Sequence, residues 1–450
     1  MSNLNALTAL DGRYSSDVKG LEKYFSEAAL IKFRVMVEVK YFSFLLNKFG
    51  INYSYDELMG IHNSMTALDY ERIKDIERVT KHDVKAVEYW IKEEVHRRFP
   101  GLRSNLELIH FGLTSEDINN LAYALMQKGA FEQVLGPALI NLTRLLKTNV
   151  EQYANTPMIS RTHGQPATPT TLGKELGVFL SRLVTELHVL EDIEFTAKLN
   201  GATGTFGALS LAVPEEDWLT FSADFIRSFG LKPEYLTTQI SNRDSYARVY
   251  DSLKRVNNIL IDLSQDIWQY VSLGYFDQKI TKGQVGSSAM PHKIHPINFE
   301  NAAGNLGLAN VLFNHFSDKL TKSRMQRDLS DSTVLRNIGT AYGYSLVAYK
   351  SLVRGLNTLE ANTARLNEDL DRHPEVISEG IQTIMRFNGV EEPYEKFKDA
   401  TQGKKISLET LKSLAGDKLP PKFSPADYIG QAPALAKLAC EQAEFFTQDY

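Results

Sequence analysis

The chain has 450 residues, 43% of them hydrophobic and 23% charged, a composition that builds a packed core and excludes disorder as its main state. Its 50 basic and 55 acidic residues leave a formal net charge of -5, so there is no basic footprint for a nucleic-acid partner. A single cysteine, Cys440, excludes an internal disulfide and a thiolate metal cluster and fits a reducing compartment. The start, Met1-Ser2-Asn3-Leu4, lacks the charged-then-apolar pattern of a secretory signal, and no run approaches 18 apolar residues. The expectation is a cytoplasmic protein that does not engage a membrane, and its length suggests about three domains.

Near the start, Asp11-Gly12-Arg13-Tyr14 brings a guanidinium and a hydroxyl together, which suits either an anion or a salt bridge. His82-Asp83 is followed by Lys85 and Glu88, one helical turn apart and able to pair with each other. The turn-like Arg97-Arg98-Phe99-Pro100-Gly101 marks a boundary, giving an N-terminal helical domain over 1–103. In His110-Phe111-Gly112-Leu113-Thr114-Ser115-Glu116-Asp117, Thr114 or Ser115 caps the helix that follows, with two acids in its first turn. These hydroxyls and the amides of a helix start could also hold a carboxylate, but on these residues alone the cap is the better reading.

Ser160-Arg161-Thr162-His163-Gly164-Gln165-Pro166-Ala167-Thr168-Pro169 reads as a loop entering a helix near Thr171. His163 beside Gly164 is poorly placed for an apolar core, and structural capping and proton transfer are evenly matched for it. A helix is expected through Leu172, Leu176, Phe179, Leu183, Leu187 and Leu190, and a small hairpin over 203–211, where alternation is partial and glycine frequent. From Val249 to Tyr270, apolar residues recur at alternating steps of four and three without Pro or Gly, the seam of a helix bundle, with Ile259, Ile261 and Trp268 widening the face.

The segment from Gly283 to Pro296 contains Gly286-Ser287-Ser288-Ala289-Met290-Pro291-His292-Lys293-Ile294-His295-Pro296. Its glycines permit a mobile loop, its amides an oxyanion nest, and Lys293 could fix an anion. Helices are expected over 302–320 and through Ile338, Tyr342, Leu346, Tyr349, Val353 and Leu356. Between them, Ser323-Arg324-Met325-Gln326-Arg327-Asp328 and Ser332-Thr333-Val334-Leu335-Arg336 combine guanidiniums and hydroxyls as a phosphate monoester requires, or as interhelical salt bridges use them. A central long-helix bundle over 104–357 and a C-terminal domain of shorter helices over 358–450 complete an all-α architecture.

Taken together, these blocks resemble the fumarase/aspartase superfamily over nearly the whole chain. Ser160 to Pro169 and Gly286 to Lys293, with His292 between Pro291 and Lys293, are more similar to the adenylosuccinate lyase family than to argininosuccinate lyase, fumarase or aspartase. The resemblance implies a three-domain, all-α fold and a homotetramer whose active sites are shared between subunits, with no cofactor and no metal. It implies small nucleotide substrates, from which fumarate is released by β-elimination. It makes His163 the general acid and Ser287 the general base, with Ser288 the competing base. Thr114, Ser115 and Lys293 would bind succinyl carboxylates, and Gln239 would contact substrate. Arg13, Tyr14, Arg327, Ser332, Thr333 and Arg336 would address the nucleotide, chiefly its phosphate, while Lys81, His82 and Asp83 would line the same pocket. The chain departs from the pattern at His295, where Asn is usual, and at Lys81, where relatives can carry Asn or Arg. The alternatives weighed are a related fumarate-releasing lyase and a non-catalytic helical scaffold. A metal hydrolase built on His82, Asp83 and His110 lacks regular ligand spacing.

Overall fold

The computed structural model describes residues 4–279, 289–290, 293–402, 407–415 and 423–447. The architecture is all-α, and strands among the described residues form only two-stranded ribbons. The bundle-seam pattern becomes the helix Asp244–Ser272, with Val249, Leu253, Val256, Leu260, Leu263 and Ile267 buried along it. Trp268 does not widen that buried face as expected. It is 45% exposed, and its Nε1–H donates to Glu300. The other expected long helices are Leu172–Glu191, Ile297–Leu320 and Ile338–Leu356. Beyond them the helices shorten, from Thr363–Arg372 to Ala432–Thr447, with prolines opening Pro374–Ile377, Pro393–Thr401 and Pro425–Asp427.

The chain forms two compact units, one of residues 1–138, 189–255 and 307–347, the other of residues 139–188, 256–306 and 348–450. In the first, Ser26 caps Glu27–Lys48 through the Ala29 amide, and Val35, Val39, Phe42 and Leu46 recur at helical spacing. They pack in one core with Leu58 and Ile61 of Tyr55–Asn63, Ile73 of Ala67–Thr80, and Val87, Trp90 and Ile91 of Asp83–Arg98.

Two further sequence expectations are overturned. The stretch 203–211 is not a hairpin: Gly204 and Phe206 take left-handed φ, and the helix Gly207–Ala212 begins there. A Cβ at Gly204 would lie 2.3 Å from the Thr237 carbonyl oxygen, so glycine here serves close backbone approach instead of strand pairing. Conversely, 160–169 is not a plain loop. Pro157–Thr162 and Gln165–Thr171 form an antiparallel hairpin in the second unit, with an irregularity between Ile159 and Arg161. Pro166 and Pro169 are tolerated because a two-stranded ribbon consists only of edges.

Candidate active site

Most of the sequence-selected residues converge within the first unit. A cavity of about 540 Å³ is lined by Lys81, His82, Asp83, Thr114, Ser115, Gln239, Arg327, Ser332 and Arg336, together with residues the motifs had not singled out. Local helix chemistry places them. Lys81 closes Ala67–Thr80 in a left-handed conformation (φ 56°), and His82 opens Asp83–Arg98 as its cap. The His82 Nδ1 accepts from the Lys85 amide at 3.1 Å, which puts the neutral imidazole's proton on Nε2, 3.5 Å from Ser115 Oγ. Lys85 itself pairs with Glu88, the bland alternative weighed for it.

Asp83 sits between two guanidiniums, 2.7 Å from Arg34 and 3.0 Å from Arg336. Burial opposes its charge, but Arg34, the Val84 amide and Arg336 outweigh that and hold its carboxyl below the usual range. Arg34 also donates to Asn119 Oδ1 at 2.9 Å. Arg327 approaches Glu116 at 3.4 Å, a loose contact that leaves its donors available.

The helix Ser115–Ala130 joins the capping and binding readings of its start. Thr114 and Asp117 make a reciprocal capping box, and both Thr114 and Ser115 still line the cavity. Beneath them lie two fully buried carboxylates. Asp117 accepts from the Thr114, Asn200 and Gly201 amides and lies 3.0 Å from Lys198 Nζ. Glu116 receives Arg243 Nη2 at 2.5 Å, and Arg243 Nη1 lies 2.7 Å from Asp331, which neighbours Ser332. Burial works against the Arg243 charge, but Glu116 and Asp331 prevail and raise its pKa. Glu116, Asp117, Lys198, Arg243 and Asp331 thus support the walls, and sequence reading missed that role. Their partners lie far away in sequence, so no local spacing signals the pairing. Gln239 is stitched to the opposite wall by its amide, 3.3 Å from the Gln326 carbonyl oxygen.

Other selected residues are not brought into this cavity. Arg13 and Thr333 are exposed and do not line it, and Tyr14 lies at the start of the short helix Ser15–Val18. His110 does not line it either; its Nδ1 is 2.6 Å from the buried Glu38. His163 belongs to the second unit, exposed at the tip of the hairpin. Thr162 pairs with Gln165, leaving His163 (φ 54°) and Gly164 (φ 73°) as a two-residue turn with both φ positive, the hairpin turn whose twist matches its strands. Arg161, just before it, is anchored to Asp369 at 2.6 Å, and the Tyr275 hydroxyl donates to the same carboxylate. Lys293 is exposed in the same unit, and His295 is partly buried, with no partner for Nε2 among the described residues. Ser287 and Ser288 lie outside the described residues.

Chemically, the cavity offers hydroxyls and amides at one helix start, a lysine, and arginines on the facing wall. That combination suits a ligand with more than one acidic group.

The chain is similar to known proteins over nearly its whole length. Residues 13–312 match the model of the Lyase family, and residues 323–423 match the adenylosuccinate lyase C-terminal model. The adenylosuccinate lyase of Legionella pneumophila (strain Corby) is 46% identical over 452 residues, covering 97% of this chain and 99% of its own. That of Escherichia coli (strain K12) is 45% identical over 447 residues, covering 96% and 98%. Among solved structures, 3-carboxy-cis,cis-muconate lactonizing enzyme from Pseudomonas putida superposes with a TM-score of 0.74 at 18% identity, over 95% of this chain and 98% of that one. A fumarate lyase from Mesorhizobium sp. BNC1 gives 0.74 at 19%; both likenesses concern the fold alone. On the near-full-length identity and the two family models, the chain belongs to the adenylosuccinate lyase family of the fumarase/aspartase superfamily, which are carbon-nitrogen lyases.

Proposed function

We propose that this enzyme cleaves adenylosuccinate to AMP and fumarate and, by the same β-elimination, SAICAR to AICAR in purine nucleotide biosynthesis. The observation that carries the reading is the single cavity that gathers Lys81, His82, Asp83, Thr114, Ser115, Gln239, Arg327, Ser332 and Arg336 from distant chain segments. Thr114 and Ser115 would take a succinyl carboxylate at the helix start, with Lys293 assisting. Arg327, Ser332 and Arg336 would take the phosphate, with Arg13, Tyr14 and Thr333 supplied at its margin.

In the reaction, Ser287 Oγ removes a proton from the succinyl carbon beside a carboxylate, the carbon-nitrogen bond breaks, and its electron pair goes to the purine nitrogen. His163 protonates that nitrogen, and the carbon-carbon double bond of fumarate forms. Charge builds on the carboxylate before the bond breaks, so cationic and amide donors around it govern the barrier. The carboxylate accepts this charge itself, and the chemistry requires neither a redox group nor a metal. Serine serves as a base only where amides and Lys293 stabilise its alkoxide away from water. The working form is a cytoplasmic homotetramer, with His163 and the cavity residues of one site supplied by different subunits.

The test is fumarate release by the purified protein. Adenylosuccinate should be turned over, and Arg327→Met should raise KM about ten-fold or more while kcat changes less, as for loss of a charged hydrogen-bond partner. Absence of fumarate from adenylosuccinate, or its release from argininosuccinate instead, would refute the reading.

A further inference from the structure

Ser115, Asn119 and Tyr123 recur every four residues on the helix Ser115–Ala130, and all three line the cavity. They form one stripe. Ser115 and Tyr123 are eight residues apart, about 12 Å along the axis at ~1.5 Å per residue. Ser115 stands at the end proposed for the succinyl carboxylate, so Tyr123 stands at the far end of the same wall.

Tyr123 is 5% exposed. Its phenolic oxygen has no hydrogen-bond partner among the described residues and is not one of their enclosed, unpartnered polar atoms, so it opens onto the cavity, while its helix neighbour Asn119 is engaged by Arg34. A phenol that lines a cavity without a protein partner keeps its O–H available to a ligand that displaces water there, and a phenylalanine would fill the same space without that donor. Burial keeps the phenol protonated, and the charges acting on it most strongly are the guanidiniums of Arg34 and Arg336, ahead of Glu116 and Asp83. It is therefore a donor in cationic surroundings, which fits an anion.

We propose that Tyr123 is a further ligand-binding residue of this site, its hydroxyl donating to a phosphate oxygen of the nucleotide beside Arg336. This rests on the functional reading given above. Arg34 then acts as a positioning residue, holding Asp83 at 2.7 Å and Asn119 at 2.9 Å along the same wall.

The experiment compares Tyr123→Phe with the unsubstituted enzyme by calorimetric titration with AMP and with adenosine, alongside thermal melting of the unliganded proteins. AMP affinity should fall about ten-fold or more, the loss expected for a hydrogen bond to a charged group. Adenosine affinity should stay within about two-fold, and the unliganded melting temperature should hold or rise. Unchanged AMP affinity overturns the assignment. So does an equal loss for adenosine, which would put the contact on the ribose or base, and so does a fall in melting temperature, which would make the hydroxyl structural. Arg327→Met separates the two levels. If it weakens AMP while Tyr123→Phe does not, only the Tyr123 assignment fails; if it binds AMP normally, the phosphate reading of the cavity fails and the assignment with it.

Discussion

At the scale of single residues, His163 and His110 show how two histidines in positive-φ conformations differ in what holds them. His163 occupies the first position of a turn that accepts Asn readily. His163→Asn should therefore keep the hairpin while removing the imidazole. We expect kcat to fall about 10²- to 10⁴-fold, as for loss of a general acid, with an unchanged melting temperature; a variant of near-normal kcat would remove His163 from the mechanism. His110 is partly buried and lies against the buried Glu38. Burial opposes its charged form, but Glu38, with Glu88 and Asp117 behind it, raises its pKa above the ordinary histidine value of about 6.5. A raised histidine contributes stability fully below that ordinary value and loses it as pH rises through the raised one. The unfolding free-energy advantage of the unsubstituted protein over His110→Gln, read by urea denaturation, should thus be largest near pH 6, on the order of 2 kcal/mol, and shrink toward alkaline pH. A flat difference across that range would show that the pair is not charged. His295→Asn should retain activity, because either side chain donates a hydrogen bond; a folded but inactive variant would contradict this.

At the scale of elements, the hairpin bearing His163 depends on the helix that follows it. A Cβ on Gly173 would meet the backbone of the preceding turn, 2.5 Å from Ala154 N and 2.6 Å from Ala154 Cα. Only glycine lets Leu172–Glu191 start against the Tyr153–Ala154 turn, where Gly173 N–H also donates to the Tyr153 carbonyl. Backbone cannot yield as a side chain end can, so Gly173→Ala should destabilise the protein by roughly 1–3 kcal/mol. Urea unfolding measures this, and an unchanged midpoint with an unchanged slope would contradict it. The structure of 160–169 was legible in part: the glycine and the prolines announced a break, but the hairpin register is set by pairing across the turn. The fold's long helices were more legible, since periodicity alone carries them. Ile338–Leu356 has the limits that its apolar pattern indicates.

For the whole molecule, several apolar residues on the long helices remain uncovered: Val178 and Val189 at 41% and 47% exposure, Leu308 and Val311 at 53% and 69%. Gly304 and Gly307, one turn before them, have nothing within 4 Å of where a Cβ would sit. This supports the proposed homotetramer, in which such faces pack on other copies. Analytical ultracentrifugation should give four chains, and Val311→Glu should dissociate them with loss of activity. Mixing dissociated His163→Asn and Arg327→Met proteins and reassembling them should restore activity through sites that draw one intact contribution from each chain. A monomer as active as the assembly would end the shared-site proposal.

By itself the sequence determined the all-α class, the positions of the long helices and the polar clusters, because these follow from periodicity, capping and composition over short stretches. Together with the resemblance its motifs carry, it also determined the family. Only the tertiary structure decided which clusters meet. It placed Lys81 to Asp83, Thr114, Ser115, Gln239, Arg327, Ser332 and Arg336 around one cavity, left Arg13 and Thr333 outside its lining, and added Arg34, Asn119 and Tyr123. The physical reason is that the wall is held by buried charges such as Arg243 between Glu116 and Asp331, which pair only once distant segments have folded together and excluded water.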